Sequence, residues 1–110
     1  MVIMAPGFLL AIAIATEVAA TISLRYSDGF TKLLPAALTL GGYALSFYLL
    51  ALVLRDISVS TTYAIWAGAG TAAVALIGMA VLGEPATAVK LTSIALIIAG
   101  VVGLNLSGAS

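Results

Sequence analysis

The chain has 110 residues, of which 64% are hydrophobic and 7% charged, and its formal net charge is zero. Soluble domains carry roughly 25% charged residues to solvate their surfaces, so a soluble enzyme and a disordered segment are both excluded. Cys and His are absent, which removes disulfides, thiolate or imidazole metal sites and histidine-based catalysis, and the lack of a basic cluster leaves no footprint for nucleic acid. With a mean hydropathy of +1.30, the chain reads as membrane-embedded. No catalytic residue, metal or cofactor is expected.

The first predicted span runs from about Met4 to Leu24 and holds one charge, Glu17. No Lys or Arg precedes this apolar run, so it is read as a helix and not as a secretory leader. The turn Ser27-Asp28-Gly29 follows, and Thr31 with Pro35 suits the start of a second span over 33–54. Arg55 and Asp56 make a short charged link, after which Ser58 or Ser60 caps a third span over 58–82. Gly83 closes that helix, Pro85 prevents its continuation, and Thr87 caps a fourth span over 88–106. Each run meets the need of about 20 apolar residues for a hydrocarbon core of ~30 Å. The expected architecture is all-α: a single transmembrane domain over 1–110 with four helices, neighbours antiparallel because the loops are short. Arg25, Lys32 and Lys90 lie in the first and third loops and Arg55 in the second, a weak bias for insertion orientation.

Glu17 lies about three residues past the middle of its span, roughly 5 Å from the midplane. An acid at that depth costs on the order of 3 kcal/mol on insertion and is a functional candidate by default. Hydrocarbon favours its neutral form, which lets it take and release a proton. Thr21, one turn on, is within reach of its carboxyl group. No basic residue shares its depth, so the acid suits a cation that comes and goes. A protonated acid serving as interhelical glue is the plainer reading.

Tyr43 sits at the centre of the second span with Phe47 one turn on, and Tyr63 and Trp66 are three apart in the third. Trp66 is roughly 6 Å from the midplane, too deep for an interfacial aromatic belt, whereas Tyr26 and Phe30 fit such a belt. Deep aromatics commonly serve packing; beside a buried acid they also offer cation–π faces for flat or quaternary cations. Gly68 and Gly70 flank the middle of the third span and favour bending there. Ser93 and Gly100 share a face of the fourth span, where small residues allow close helix approach. Four helices are too few to enclose an alternating-access cavity, so an oligomer with inverted halves is expected. Inverting a second copy brings its Trp66 to the level of Glu17.

Four stretches carry a family likeness: Ala15-Thr16-Glu17-Val18, Ser27 to Lys32, Tyr63 to Gly70, and Ala99 to Leu106. With them the chain resembles the small multidrug resistance family. The resemblance implies an antiparallel, dual-topology homodimer in the bacterial plasma membrane that exchanges protons for lipophilic cations. It makes Glu17 the carboxylate that binds proton or substrate, and Thr21, Tyr43, Phe47, Tyr63 and Trp66 the substrate-binding set. It also makes Gly68 and Gly70 a hinge, and Ser93 and Gly100 part of the dimer interface, Ser93 standing where the family commonly has Gly. The family's guanidinium exporters usually carry Trp three residues after the acid. Ala20 occupies that position, implying a wider, less polar site and an exporter of quaternary ammonium and polyaromatic cations. A guanidinium exporter and a non-transporting partner of a heterodimeric pair are the alternatives.

Overall fold

A computed structural model describes residues 4–107, with side chains from residue 6 on; residues 1–3 and the end of the last charge-free run, 108–110, lie outside the described residues. It contains α1 (Met4–Tyr26), α2 (Leu33–Val53), α3 (Val59–Ala80) and α4 (Ala88–Leu106). All four are long and apolar enough to cross a membrane. Compared with the spans expected from sequence, α1 runs two residues further and α3 stops two residues earlier. Helices form here because hydrocarbon supplies no partner for backbone N–H and C=O groups, and a helix satisfies them within its own segment. Large apolar side chains accordingly point outward, with Leu33 87%, Val89 77% and Leu106 80% exposed.

The chain divides into two compact units, α1 with α2 up to Ile57 and α3 with α4 from Ser58. In the first unit, buried Leu10, Ala13 and Ala20 of α1 share the core with Thr39, Ser46, Leu49 and Val53 of α2. Gly42 sets the closeness of the two helices: a Cβ there would lie 2.8 Å from the Ala20 Cβ and 3.3 Å from the Thr16 carbonyl oxygen. Small residues let backbones approach, and in lipid that close packing is the main attraction between helices. In the second unit Gly68 has the same use, since a Cβ there would stand 2.8 Å from Cγ2 of Val101. The α3 helix is unbroken across Gly68 and Gly70.

The first loop is built around Ser27, which is fully buried. Its hydroxyl donates to the Leu24 carbonyl (2.7 Å) and accepts from the Phe30 N–H (3.1 Å), while its carbonyl accepts from the Thr31 (2.9 Å) and Lys32 (3.1 Å) N–H groups. Asp28, Gly29 and Phe30 all take left-handed backbone angles, φ 49°, 68° and 67°. Thr31 does not cap α2 as its position suggested. Its hydroxyl donates to the Asp28 carbonyl at 2.7 Å, and Lys32 is the N-cap residue without a side-chain bond. The other two starts are capped by hydroxyls, with Ser58 accepting from the Thr61 N–H and Thr87 from the Lys90 N–H. Gly83, at φ 74°, ends the turn after α3.

Candidate functional site

Glu17 projects from the middle of α1, and Thr21 lies one turn further along the same face. The Thr21 hydroxyl donates to Oε1 of Glu17 at 3.2 Å. From α2 the phenol oxygen of Tyr43 comes within 2.6 Å of the Thr21 hydroxyl. Glu17 is half-buried, but its second oxygen, Oε2, is shut away from solvent with no hydrogen-bond partner among the described residues. A carboxylate accepts hydrogen bonds through both oxygens, so one acceptor is engaged and the other is open to a proton or a cation.

The Tyr43 ring stacks on Phe47, with centroids 6.2 Å apart and planes 13° from parallel. One turn of separation on α2 produces this stack directly, because i and i+4 side chains lie one above the other. Phe47 is 56% exposed, so the pair presents an aromatic surface beside the acid's hydrogen-bond chain. Glu17, Thr21, Tyr43 and Phe47 are thus brought together by the pairing of α1 and α2.

In the second unit Tyr63 and Trp66 form a tilted pair, with centroids 5.8 Å apart and an interplanar angle of 47°. Tyr63 is exposed and Trp66 half-buried. One turn before Trp66, the hydroxyl of Thr62 is buried without a hydrogen-bond partner. Sequence reasoning passed over Thr62; the available signal was a hydroxyl at i−4 to a deep Trp. Ser93 and Gly100 are both exposed on α4, and the space where a Cβ of Gly100 would sit is open.

Ser46 is fully buried and donates to the Ala13 carbonyl at 2.7 Å. Ala20 is 1% exposed and packs at the close approach of Gly42. The small side chain permits this close approach of α1 and α2.

The sequence profile of the Small Multidrug Resistance protein family matches residues 6–97. The chain belongs to this family. It is 50% identical over 97 residues to a multidrug transporter of Pseudomonas aeruginosa, covering 88% of each chain. It is 44% identical to the quaternary ammonium compound-resistance protein QacE of Escherichia coli, again over 88% of each. A guanidinium exporter of Yersinia pseudotuberculosis is 40% identical, over 90% of this chain and 95% of the relative. With four helices suited to span a bilayer, the family member is a multi-pass protein of the bacterial plasma membrane. The small multidrug resistance family holds multidrug, quaternary ammonium and guanidinium exporters.

Proposed function

We propose that this family member is a proton-coupled exporter of lipophilic cations, above all quaternary ammonium and polyaromatic compounds. The observation that carries the reading is the state of Glu17: one oxygen held by Thr21, the other buried and without a hydrogen-bond partner in the described structure. A proton and a cation compete for that oxygen, and a carrier whose two ligands exclude each other at one acid exchanges them. Substrate contact falls to the stacked pair Tyr43 and Phe47 and the tilted pair Tyr63 and Trp66, whose faces attract positive charge without bearing a formal one.

The active unit is a homodimer of inverted copies. Two Glu17 carboxyl groups then belong to one binding unit, and a single cation competes with the protons of both. Gly68 and Gly70 let α3 bend as the dimer changes facing, and Ser93 and Gly100 on α4 allow close contact between copies.

A lipophilic cation without N–H groups fits these surroundings better than guanidinium. Guanidinium demands several oxygen acceptors in one plane. Ser46 is sealed against α1, and the Thr21 oxygen already lies 2.6 Å from the Tyr43 phenol. The Yersinia relative keeps guanidinium as the second reading. The deciding experiment is proton-coupled flux in proteoliposomes of the purified protein, comparing tetraphenylphosphonium with guanidinium, and wild type with Glu17→Gln. Coupled flux of tetraphenylphosphonium that disappears in Glu17→Gln supports the reading. Coupled flux that survives the substitution ends it, and flux of guanidinium alone transfers it to the second substrate. A wild-type protein that moves neither cation is the non-transporting partner instead.

A further inference from the structure

The Thr21 hydroxyl has a single proton and two neighbours, Oε1 of Glu17 at 3.2 Å and the phenol oxygen of Tyr43 at 2.6 Å. An ionised carboxylate only accepts, so Thr21 gives its proton to Glu17, and Tyr43 must then donate to Thr21. The bonds therefore run one way, from the phenol through the hydroxyl to the acid. Donors linked in this order polarise one another, and the far donor adds to the stabilisation of the carboxylate. Among the described residues the phenol is bonded to Thr21, which is bonded to Glu17, so its influence on the acid passes through that hydroxyl.

Tyr43 has a second attachment. Its ring is stacked on Phe47, the exposed aromatic surface to which the functional reading above assigns a cationic guest. A guest that settles there and shifts the ring acts on a hydrogen bond 2.6 Å long whose other end leads to Glu17. The surroundings leave this route little competition within the unit. On α1, Arg25 is exposed two turns beyond Glu17, and Asp28 lies in the loop that follows. On α2, packed against α1, Tyr43 is the titratable group that faces the acid's chain. Tyr48 is exposed elsewhere on that helix, while Lys32, Arg55 and Asp56 stand at its ends.

We infer that Thr21 is a positioning residue through which Tyr43 sets how readily Glu17 gives up its proton, so that aromatic contact with a guest and proton exchange are linked through one hydrogen-bond chain. The inference rests on the functional reading above and adds to it the means by which the aromatic face speaks to the acid.

The test is binding of tetraphenylphosphonium to the purified full-length protein in lipid as a function of pH. In wild type, binding is lost as pH falls because protons occupy Glu17. Thr21→Val keeps the shape and deletes the hydroxyl; the pH at which binding is half-lost should rise by about one unit, since a hydrogen bond to a charged group is worth about a tenfold change in proton affinity. Tyr43→Phe should move it the same way but less, Thr21→Ser should restore the wild-type profile, and Tyr43→Phe added to Thr21→Val should move it no further. A Thr21→Val profile that matches wild type overturns the inference, as do additive shifts in the double variant. Should Thr21→Val lose affinity outright, carbon-13 titration of the labelled Glu17 carboxyl without any guest reads the same shift, and an unmoved titration overturns the proposal. Wild-type binding indifferent to pH, or unchanged by Glu17→Gln, would instead sink the functional reading. The two failures are therefore distinct.

Discussion

Ser46 of α2 donates its hydroxyl proton to the main-chain carbonyl of Ala13 on α1, at 2.7 Å and out of reach of solvent. The same carbonyl also accepts from Thr16 at 3.0 Å, so it serves its own helix and its neighbour at once. The bond fixes α1 against α2 at the depth of Glu17, one turn from the acid. Interhelical hydrogen bonds in membranes are worth about 0.6 kcal/mol on average and up to about 1.7 kcal/mol. Ser46→Ala should therefore lower stability by about 1 kcal/mol, measured by reversible unfolding in mixed micelles. A change below the error of that measurement would mean that the pairing relies on packing alone.

Packing is tested at Gly42. A methyl group there meets the Ala20 Cβ and the Thr16 carbonyl, both on a helix that cannot yield locally. Gly42→Ala should cost about 1–3 kcal/mol by forcing α1 and α2 apart. The neighbouring Gly41→Ala meets nothing within 4 Å and serves as the control, with an expected change within about 0.5 kcal/mol. Equal losses for the two would refute the close approach.

The first loop stores strain at Phe30, whose φ of 67° is open to Gly but unfavourable to an aromatic residue. Phe30→Gly should raise stability by about 1 kcal/mol where backbone strain outweighs the loss of the ring. Thermal unfolding reads this directly, and a lowered midpoint would show that the half-exposed ring contributes more than its conformation costs.

In the second unit Trp66 is proposed as a cation-binding face, and cation–π attraction is worth about 0.5–2 kcal/mol when desolvated. Trp66→Leu keeps an apolar side chain and removes the π face. Affinity for tetraphenylphosphonium should drop by about twofold to thirtyfold, while the pH dependence of binding, assigned to Glu17 in the proposed function, stays in place. A loss of the pH dependence would tie Trp66 to proton exchange instead.

A Glu17→Asp change withdraws the carboxyl group by one methylene from the Thr21 hydroxyl, now 3.2 Å from Oε1. Some exchange should remain, with the pH optimum of coupled flux displaced from that of wild type. An undisplaced optimum would argue against protonation of this residue during transport.

Helix number and placement were legible in the amino-acid order because hydrophobic length is a local property, and charges at Arg25, Lys32, Arg55 and Lys90 punctuate the runs. Glu17 was equally plain, as the sole acid within a span. The Ser58 and Thr87 caps followed from local chemistry. Thr31 did not, because a left-handed loop of three residues drew its hydroxyl to the Asp28 carbonyl instead.

What only the tertiary structure decided is where the hydroxyls point and what the small residues touch. In spans apolar on all sides, periodicity does not say which face meets a neighbour, so Ser46, Ala20 and Gly42 look alike in sequence to residues that line a cavity. The approach of α2 to α1 turned Ser46 onto a backbone carbonyl, closed Ala20 on Gly42 and set the Tyr43 phenol against Thr21. Those pairings join residues more than twenty positions apart, and a hydrogen bond a few ångströms long exists only once two backbones have been brought together.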